Sequence, residues 1–236
     1  MKTDNIKGVT LGLHFFGAGV IKRFPLLSKK IQNTAEVANY MDWLDTNFGD
    51  TKLFASREKL WKVAKEVVSD PKLLVLEFGV AWGYTTDWWL KRIVGEGISW
   101  IGFDLFSGLP RAWRDLSAGH FDAGGSPPPI VDPRVVWKVG DVSQTVKGLD
   151  LKDLASRRAL VLFDLDLFEP TQSVWEHIRQ SLKPGDVLYF DEAYDIDERR
   201  ILDEHVLRDF EVQVIGCTSM ALCLEIKSNC RYQPEY

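Results

Sequence analysis

Acidic side chains follow each of five strand-like apolar runs in the middle of the chain. They are Glu77, Asp104, Asp141, Asp164, Asp166, Asp191 and Glu192. Strands buried in a core need none of these charges, and a row of acidic strand ends would repel itself without a cation. Hard carboxylate oxygens, with no cysteine or paired histidines beside them, favour Mg²⁺ or Ca²⁺ over zinc. Such an ion makes a coordinated hydroxyl more acidic, so the pattern indicates chemistry on a hydroxyl oxygen.

A glycine turn follows the first of these runs, in the sequence EFGVAWG, where Gly79 and Gly83 would let a ligand lie against the backbone. The turn lacks the GxGxxG spacing and therefore the tight pyrophosphate cradle that goes with it. Asp104, after the second run, is placed to accept hydrogen bonds from two ribose hydroxyls. We therefore expect a nucleoside ligand without a diphosphate.

The elements that would position these residues alternate regularly from residue 57 onward. Apolar residues recur at helical spacing over 57–68, after the N-cap candidate Ser56 and before Pro71. Continuous apolar runs then predict buried strands of a parallel sheet. The predicted strands are 73–78, 99–103, 135–139, 160–165, 186–190, 210–215 and 220–226.

Helical patterns or the long insertion separate the first five strands, whereas only Gly216–Ser219 joins the last two, which predicts an antiparallel hairpin. Helices are predicted over 34–46, 57–68, 84–94, 148–156, 169–182 and 196–208. We therefore predict an α/β fold whose seven-stranded, mostly parallel sheet ends in a C-terminal antiparallel hairpin and carries helices on both faces.

By pattern, the chain divides into residues 1–55 and residues 56–236. The first part does not join the alternation, and we predict an N-terminal lid or docking segment that closes the site, pairs two subunits into a homo-oligomer, or does both. The second part contains one long insertion, 111–134, with Gly119 and three successive prolines at 127–129. Because long loops at the carboxyl edge of a sheet are usually functional, we expect a lid there.

The composition argues against several classes of protein. The 236 residues carry a net charge of −5, with 45% hydrophobic and 27% charged residues, as a globular protein does. The acidic balance argues against nucleic acid as a partner. No run of about 18 apolar residues exists, so we expect no membrane insertion. Three cysteines without a CxxC pair are typical of free thiols in a reducing compartment, which predicts a cytoplasmic location.

Taken together, the motifs resemble a known family. LEFGVAWGYTT followed by WIGFDLFSGLP is similar to the first two motifs of class I S-adenosylmethionine-dependent methyltransferases. More narrowly, FDLFSGLP, VGDVSQTV and LVLFDLDLFEPTQSVWEHIRQSLKPGDVLYFDEAYD resemble the macrocin O-methyltransferase (TylF-like) family of natural product biosynthesis. The resemblance covers roughly residues 72–227, and it implies that residues 56–236 form a methyltransferase domain of Rossmann-like fold.

The resemblance implies S-adenosyl-L-methionine as the cofactor. Glu77, Gly79 and Gly83 would line its methionine part, with Trp82 nearby, and Asp104 would hold the ribose. The residues that would border the adenine are Gly140, Asp141 and Val142.

The resemblance also implies a divalent ion, Mg²⁺, held by carboxylates after the fourth and fifth strands. The matching positions are Asp164, Asp191 and Glu192, and Glu192 departs from the second aspartate that is usual in the family. The candidates for catalysis are Asp164, His120 and Asp166. His120 lies in the predicted lid with an ordinary pKa of about 6.5, which suits a base, although an exposed loop histidine is the plainer interpretation. Asp166 would assist catalysis or cap the next helix.

The function that we expect is an O-methyltransferase acting on a hydroxyl of a small molecule, such as a sugar of a natural product or glycolipid. A catechol-like acceptor is the nearest alternative, because metal chelation of vicinal oxygens serves both. An NAD-dependent oxidoreductase also needs a glycine turn and an acid after the second strand, but the missing GxGxxG and the terminal hairpin argue against it. A non-catalytic binding module with a methyltransferase-like fold is a further alternative, because fold alone does not imply activity.

Overall fold

The computed structural model describes residues 25–230, so residues 1–24 of the predicted N-terminal segment lie outside the described part. Within it, seven strands form a sheet in the order β3-β2-β1-β4-β5-β7-β6. The strands are β1 Leu74–Phe78, β2 Ser99–Asp104, β3 Val135–Val139, β4 Ala159–Phe163, β5 Val187–Phe190, β6 Phe210–Cys217 and β7 Leu222–Asn229. The first five pair in parallel, and β7 is antiparallel to both β5 and β6. The predicted sheet and its terminal hairpin are confirmed.

Helices cover both faces of this sheet, as predicted. They are α1 Pro25–Phe48, α2 Arg57–Val67, α3 Tyr84–Leu90, α4 Val142–Thr145, α5 Leu151–Ser156, α6 Phe168–Ile178, α7 Ile196–Ile201 and α8 Leu207–Asp209. Successive side chains of a strand point to opposite faces, and those of β1 enter two separate apolar clusters. Trp175 of α6 belongs to one cluster, and Trp61 of α2 and Trp89 of α3 belong to the other.

The described part of the N-terminal segment is built into the core of the sheet domain. Tyr40 and Leu44 of α1 are buried in the same cluster as Trp175. The Tyr40 hydroxyl donates to the carbonyl of Ala221, next to β7, at 2.9 Å. Leu53 forms a parallel bridge with Cys217 at the end of β6. Tyr40 and Leu53 therefore connect this part of the chain to the terminal hairpin, and its role as a lid or docking segment stays a prediction.

The predicted insertion is a loop without helix or strand from residue 105 to residue 134. Its second half is anchored on α3, because the guanidinium of Arg134 donates to the carbonyls of Leu90 and Ile93 at 2.9 Å each. The helix α3 ends at Leu90 rather than at the predicted residue 94, and the carbonyl of Leu90 has a side-chain partner in Arg134. Within residues 25–230, every helix is too short or too polar to cross a bilayer.

Candidate active site

A cavity of about 750 Å³ opens at the carboxyl ends of β1, β2, β4 and β5, which is where open α/β sheets bind their ligands. Six of the eight predicted cofactor residues line it, and two do not. Those on its wall are Gly79, Trp82, Asp104, Gly140, Asp141 and Val142. The acids Asp164, Asp166, Asp191 and Glu192 line the same space, so one cavity joins the predicted cofactor residues and most of the acidic strand ends.

Asp104 holds the glycine turn in place. One oxygen of its carboxylate accepts hydrogen bonds from the backbone N–H groups of Val80 and Ala81 at 2.7 Å each, and the other accepts from the N–H of Phe106 at 2.6 Å. A carboxylate offers about four acceptor positions, so roughly one is left for a ligand hydroxyl. Asp104 therefore fixes the shape of the turn, a role that sequence reasoning did not assign to it.

Glu77, a predicted cofactor residue, faces the protein interior instead of the cavity. It is 1% exposed, and one of its oxygens accepts hydrogen bonds from the hydroxyl of Thr86 and from Trp100 Nε1. Burial raises the pKa of Glu77 to about 8, against the opposing effect of these two donors. The side chain therefore ties β1 to α3 and β2 beneath the glycine turn.

Gly83 is likewise absent from the cavity wall, although it was predicted to line the cofactor. It lies just before α3 with φ of 77°, in the left-handed region. A Cβ at this position would lie 2.7 Å from Pro128 and 2.9 Å from Ile130, both in the long loop. The loop therefore packs directly onto the glycine turn, and only a residue without a side chain leaves room for it.

Asp164 and Asp191 lie side by side at the floor of the cavity, together with a cation that sequence analysis overlooked. Nη1 of Arg57 donates to Oδ2 of Asp191 at 3.1 Å. Burial, followed by the charges of Asp191 and Asp166, raises the pKa of Asp164, and Arg57 acts in the opposite direction. Arg57 is the first residue of α2, after the cap in which Ser56 accepts from the N–H of Lys59.

Asp166 and Glu192 form a second acid pair on the same wall, with their carboxyl groups hydrogen-bonded to each other. Burial raises the pKa of Asp166 to about 6, and burial and the charge of Asp166 raise that of Glu192 to about 12. The pKa of Glu192 is therefore raised more than that of Asp166. Asp166 has φ of 63°, and such strained backbone clusters at functional sites.

The predicted Mg²⁺ ligands do not come together as a metal site. Among the residues described, no group of three histidine, cysteine, aspartate or glutamate side chains is arranged to hold an ion. Asp191 bonds Arg57 and the hydroxyl of Tyr189, while Glu192 bonds Asp166. This arrangement of Asp164, Asp191 and Glu192 does not fit the ion that was expected.

His120, the other candidate base, is exposed and does not line the cavity. Its ring packs edge-on against Phe121, with the centroids 4.4 Å apart, and Phe121 forms the wall instead. Phe121 also meets Trp82, whose side chain is 62% exposed at the mouth, at a centroid distance of 6.2 Å. The two rings therefore present aromatic surface to whatever enters the cavity.

Arg57 was missed because its partner lies 134 residues further along the chain. One signal was nevertheless present in the sequence. Cations are disfavoured in the first turn of a helix, where the macrodipole is positive. An arginine directly after the N-cap Ser56 therefore indicates an acid from another element close by.

No protein-family model matches the chain, and no curated protein matches it. Among solved structures, the calicheamicin methyltransferase CalS11 is similar, with a TM-score of 0.53 and 23% identity over 81% of this chain and 91% of that one. The apo structure of CalS11, a TDP-rhamnose 3′-O-methyltransferase, gives a TM-score of 0.48 and 24% identity over 81% and 93%. An O-methyltransferase from Bacillus cereus in complex with SAH gives 0.46 and 14% over 82% and 91%.

The likeness to calicheamicin methyltransferase agrees with the strand order and the terminal hairpin. The chain therefore has the Rossmann-like methyltransferase fold.

Proposed function

We propose that this chain is an S-adenosylmethionine-dependent O-methyltransferase that acts on a hydroxyl of a small molecule. One observation carries the proposal: a single cavity of about 750 Å³ joins the glycine turn and Asp104 with the acid pair of Asp166 and Glu192. Its volume is in the range of sites for small ligands, and it lies where this fold class binds them. The Rossmann-like methyltransferase fold supports the choice of cofactor.

In this proposal, Gly79 and Trp82 line the methionine part of the cofactor, and Asp104 uses its remaining acceptor position for the ribose. The residues given to the adenine are Gly140, Asp141 and Val142. Glu77 and Gly83 take an indirect part, since they fix the turn and the loop above it. When bound, the cofactor would supply a methyl group whose carbon bonds to the acceptor oxygen as its bond to the sulfonium sulfur breaks, which leaves S-adenosylhomocysteine.

We assign the general base to Asp166. It lines the cavity, and its raised pKa of about 6 leaves it ionised near neutral pH yet basic enough to accept a proton from a hydroxyl. Glu192, whose side chain hydrogen-bonds that of Asp166, holds the Asp166 carboxylate in one orientation. Holding the acceptor oxygen in line with the methyl group then accounts for much of the rate. His120 has no part in this assignment, and Asp164 is assigned a supporting position on the cavity wall.

The acceptor class in this proposal comes from likeness. The TylF-like sequence motifs and the fold shared with calicheamicin methyltransferase favour a sugar hydroxyl of a natural product or glycolipid. A catechol-like acceptor is the alternative, since Trp82 and Phe121 would stack on either kind of ring. The same proposal includes a location in the cytoplasm and the absence of a nucleic-acid partner. It also includes residues 1–55 as a lid or homo-oligomer contact, next to a domain of residues 56–236.

The first test is ligand binding followed by turnover. Thermal-shift measurements with S-adenosylhomocysteine and with NAD separate methyl transfer from hydride transfer, because a ligand stabilises the state to which it binds. Labelled S-adenosylmethionine is then offered with a panel of glycosides, nucleotide sugars and catechols. Stabilisation by S-adenosylhomocysteine with methylation of a glycoside is the expected result. Stabilisation by NAD alone would overturn the proposal, and cofactor binding without turnover across the panel would favour the non-catalytic module.

A further inference from the structure

Both oxygens of Asp191 are occupied by donors from the chain itself. Oδ2 accepts from Nη1 of Arg57 at 3.1 Å, and Oδ1 accepts from the hydroxyl of Tyr189 at 2.5 Å. The side chain of Asp191 is only 13% exposed, so few further partners can reach it. Asp191, which a divalent ion would need as a ligand, therefore already has a hydrogen-bond donor on each of its oxygens.

The guanidinium of Arg57 is held in place from several sides. It stacks on the rings of Trp61 and Tyr84, with its central carbon 5.3 Å and 5.0 Å from their centroids. The Tyr84 hydroxyl donates to Glu58 at 2.8 Å, which fixes that ring in turn. Arg57 also lines the cavity together with Asp164 and Asp191. The guanidinium is therefore held against the acidic wall of the cavity by Asp191 and the two rings.

The neighbouring acid Glu192 on the same wall also bonds to the protein. Its side chain hydrogen-bonds Asp166, and its backbone N–H donates to the buried carboxylate of Glu198 at 3.0 Å. Among the described residues, Oε2 of Glu192 is buried without a hydrogen-bond partner. A divalent ion placed between Asp164 and Asp191 would lie beside the guanidinium of Arg57 and be repelled by it.

We propose that Arg57 is the resident cation of this acidic wall, which neutralises Asp164 and Asp191 and positions them without a divalent ion. Arginine suits this role because its guanidinium stays charged at every physiological pH and binds carboxylates through several donors. The inference goes beyond the proposed function, on which it rests only for the effect on methyl transfer. The absence of a bound divalent ion does not depend on the proposed function.

The first experiment uses the unaltered protein. The full chain is stripped with EDTA, and Mn²⁺ binding is followed by electron paramagnetic resonance with and without S-adenosylhomocysteine. We expect no saturable Mn²⁺ binding, and the same methyl transfer before and after EDTA treatment. Saturable binding that D191N abolishes, together with loss of transfer in EDTA, would overturn the inference.

The second experiment replaces the cation. R57M keeps much of the side-chain stem but leaves Asp164 and Asp191 without a positive partner, so we expect saturable Mn²⁺ binding to appear. We also expect kcat to fall by about tenfold or more, because an uncompensated buried charge is costly, and R57K to recover part of the loss. R92M is the matched control, since Arg92 also stacks on a tryptophan, Trp88, at 4.3 Å but lies outside the cavity.

An R57M protein that resembled the unaltered one both in Mn²⁺ binding and in turnover would overturn the inference. If R57M does not fold, the Mn²⁺ titration and the EDTA comparison on the unaltered protein still decide the question. If no variant methylates any acceptor, the proposed function fails. The role of Arg57 is then still tested by comparing Mn²⁺ binding to R57M with Mn²⁺ binding to the unaltered protein.

Discussion

The carbonyl oxygen of Asp164 lies so close to Gly79 that a Cβ on Gly79 would fall 1.8 Å from it. The two residues follow neighbouring strands, and the N–H of Asp164 donates to the carbonyl of Phe78 at 2.8 Å. Gly79 also has φ of 90°. The approach of these strand ends sets the spacing between the glycine turn and the acids, and it is possible only without a side chain.

Replacing Gly79 with alanine should therefore destabilise the protein through both backbone strain and a direct clash. We expect a loss of roughly 2–6 kcal/mol in the free energy of unfolding, measured by urea denaturation. Gly119→Ala is the control, because Gly119 has a similar φ of 80° but nothing within 4 Å of an added Cβ. It should lose only about 1 kcal/mol from strain. Equal losses in the two variants would show that the clash at Asp164 does not matter.

Helix α1 should contribute to the stability of the whole domain. Leu44 is 2% exposed within the main cluster, so Leu44→Ala should lower the free energy of unfolding by about 2–5 kcal/mol. Ile31 on the same helix is 49% exposed, and Ile31→Ala should change it by less than about 0.5 kcal/mol. Thermal or chemical denaturation measures both. A separable N-terminal segment would instead give two transitions, with Leu44→Ala affecting only one of them.

Glu77 should make stability depend on pH. Its pKa is raised by burial to about 8 from an ordinary 4.5, so the folded protein holds this proton more tightly than the unfolded chain does. The stabilisation is complete below the unfolded pKa and is lost as pH rises through about 8. Relative to Glu77→Gln, the unaltered protein should lose up to about 1.4 kcal/mol in the free energy of unfolding for each pH unit between the unfolded and the folded pKa of Glu77. Parallel stability curves for the two proteins, recorded by denaturation from acid to mildly alkaline pH, would refute this.

The acid pair should control turnover through Asp166. With the base at a pKa of about 6, kcat should rise with pH through that value and then level off. Asp166→Asn should lower kcat by at least about 100-fold while the thermal shift with S-adenosylhomocysteine is kept.

Glu192 offers a matched pair of variants for the same profile. Glu192→Gln keeps a donor to Asp166 and should leave the midpoint of the pH profile near its original position. Glu192→Leu removes the donor, so the pKa of Asp166 and the midpoint should move upward. A profile that neither variant moves would show that Asp166 is not the titrating base.

The sheet was predictable from the sequence because its central strands are buried on both sides. Every residue of β1 and of β4 is buried, so each strand is close to a continuous apolar run that is difficult to mistake. The edge strand β3 is only partly covered, yet Val135–Val139 is rich in β-branched residues and was found as well.

The site was predictable as a set of strand ends but not as a set of partners. Position after a strand places Asp104, Asp164 and Asp191 at one edge, as the sequence indicated. Which groups bond to each other depends on side-chain directions and on contacts between distant parts of the chain. The pairing of Arg57 with Asp191 and the clamp that Asp104 applies to Val80 are both of this kind. Burial of Glu77 could not be foreseen either, because a carboxylate in a core is exceptional.

The long loop is anchored in both halves but leaves exposed positions at the cavity mouth, where the molecule can diverge. Its second half is pinned by Arg134 and by the contact of Pro128 with Gly83. Its first half reaches across the cavity mouth, where the exposed Arg111 pairs with Glu169. The same half is anchored by the buried side chains of Leu109 and Trp113. Exposed positions between them, such as Arg111, can therefore change without loss of packing, so the cavity mouth can diverge there while the glycine turn is kept.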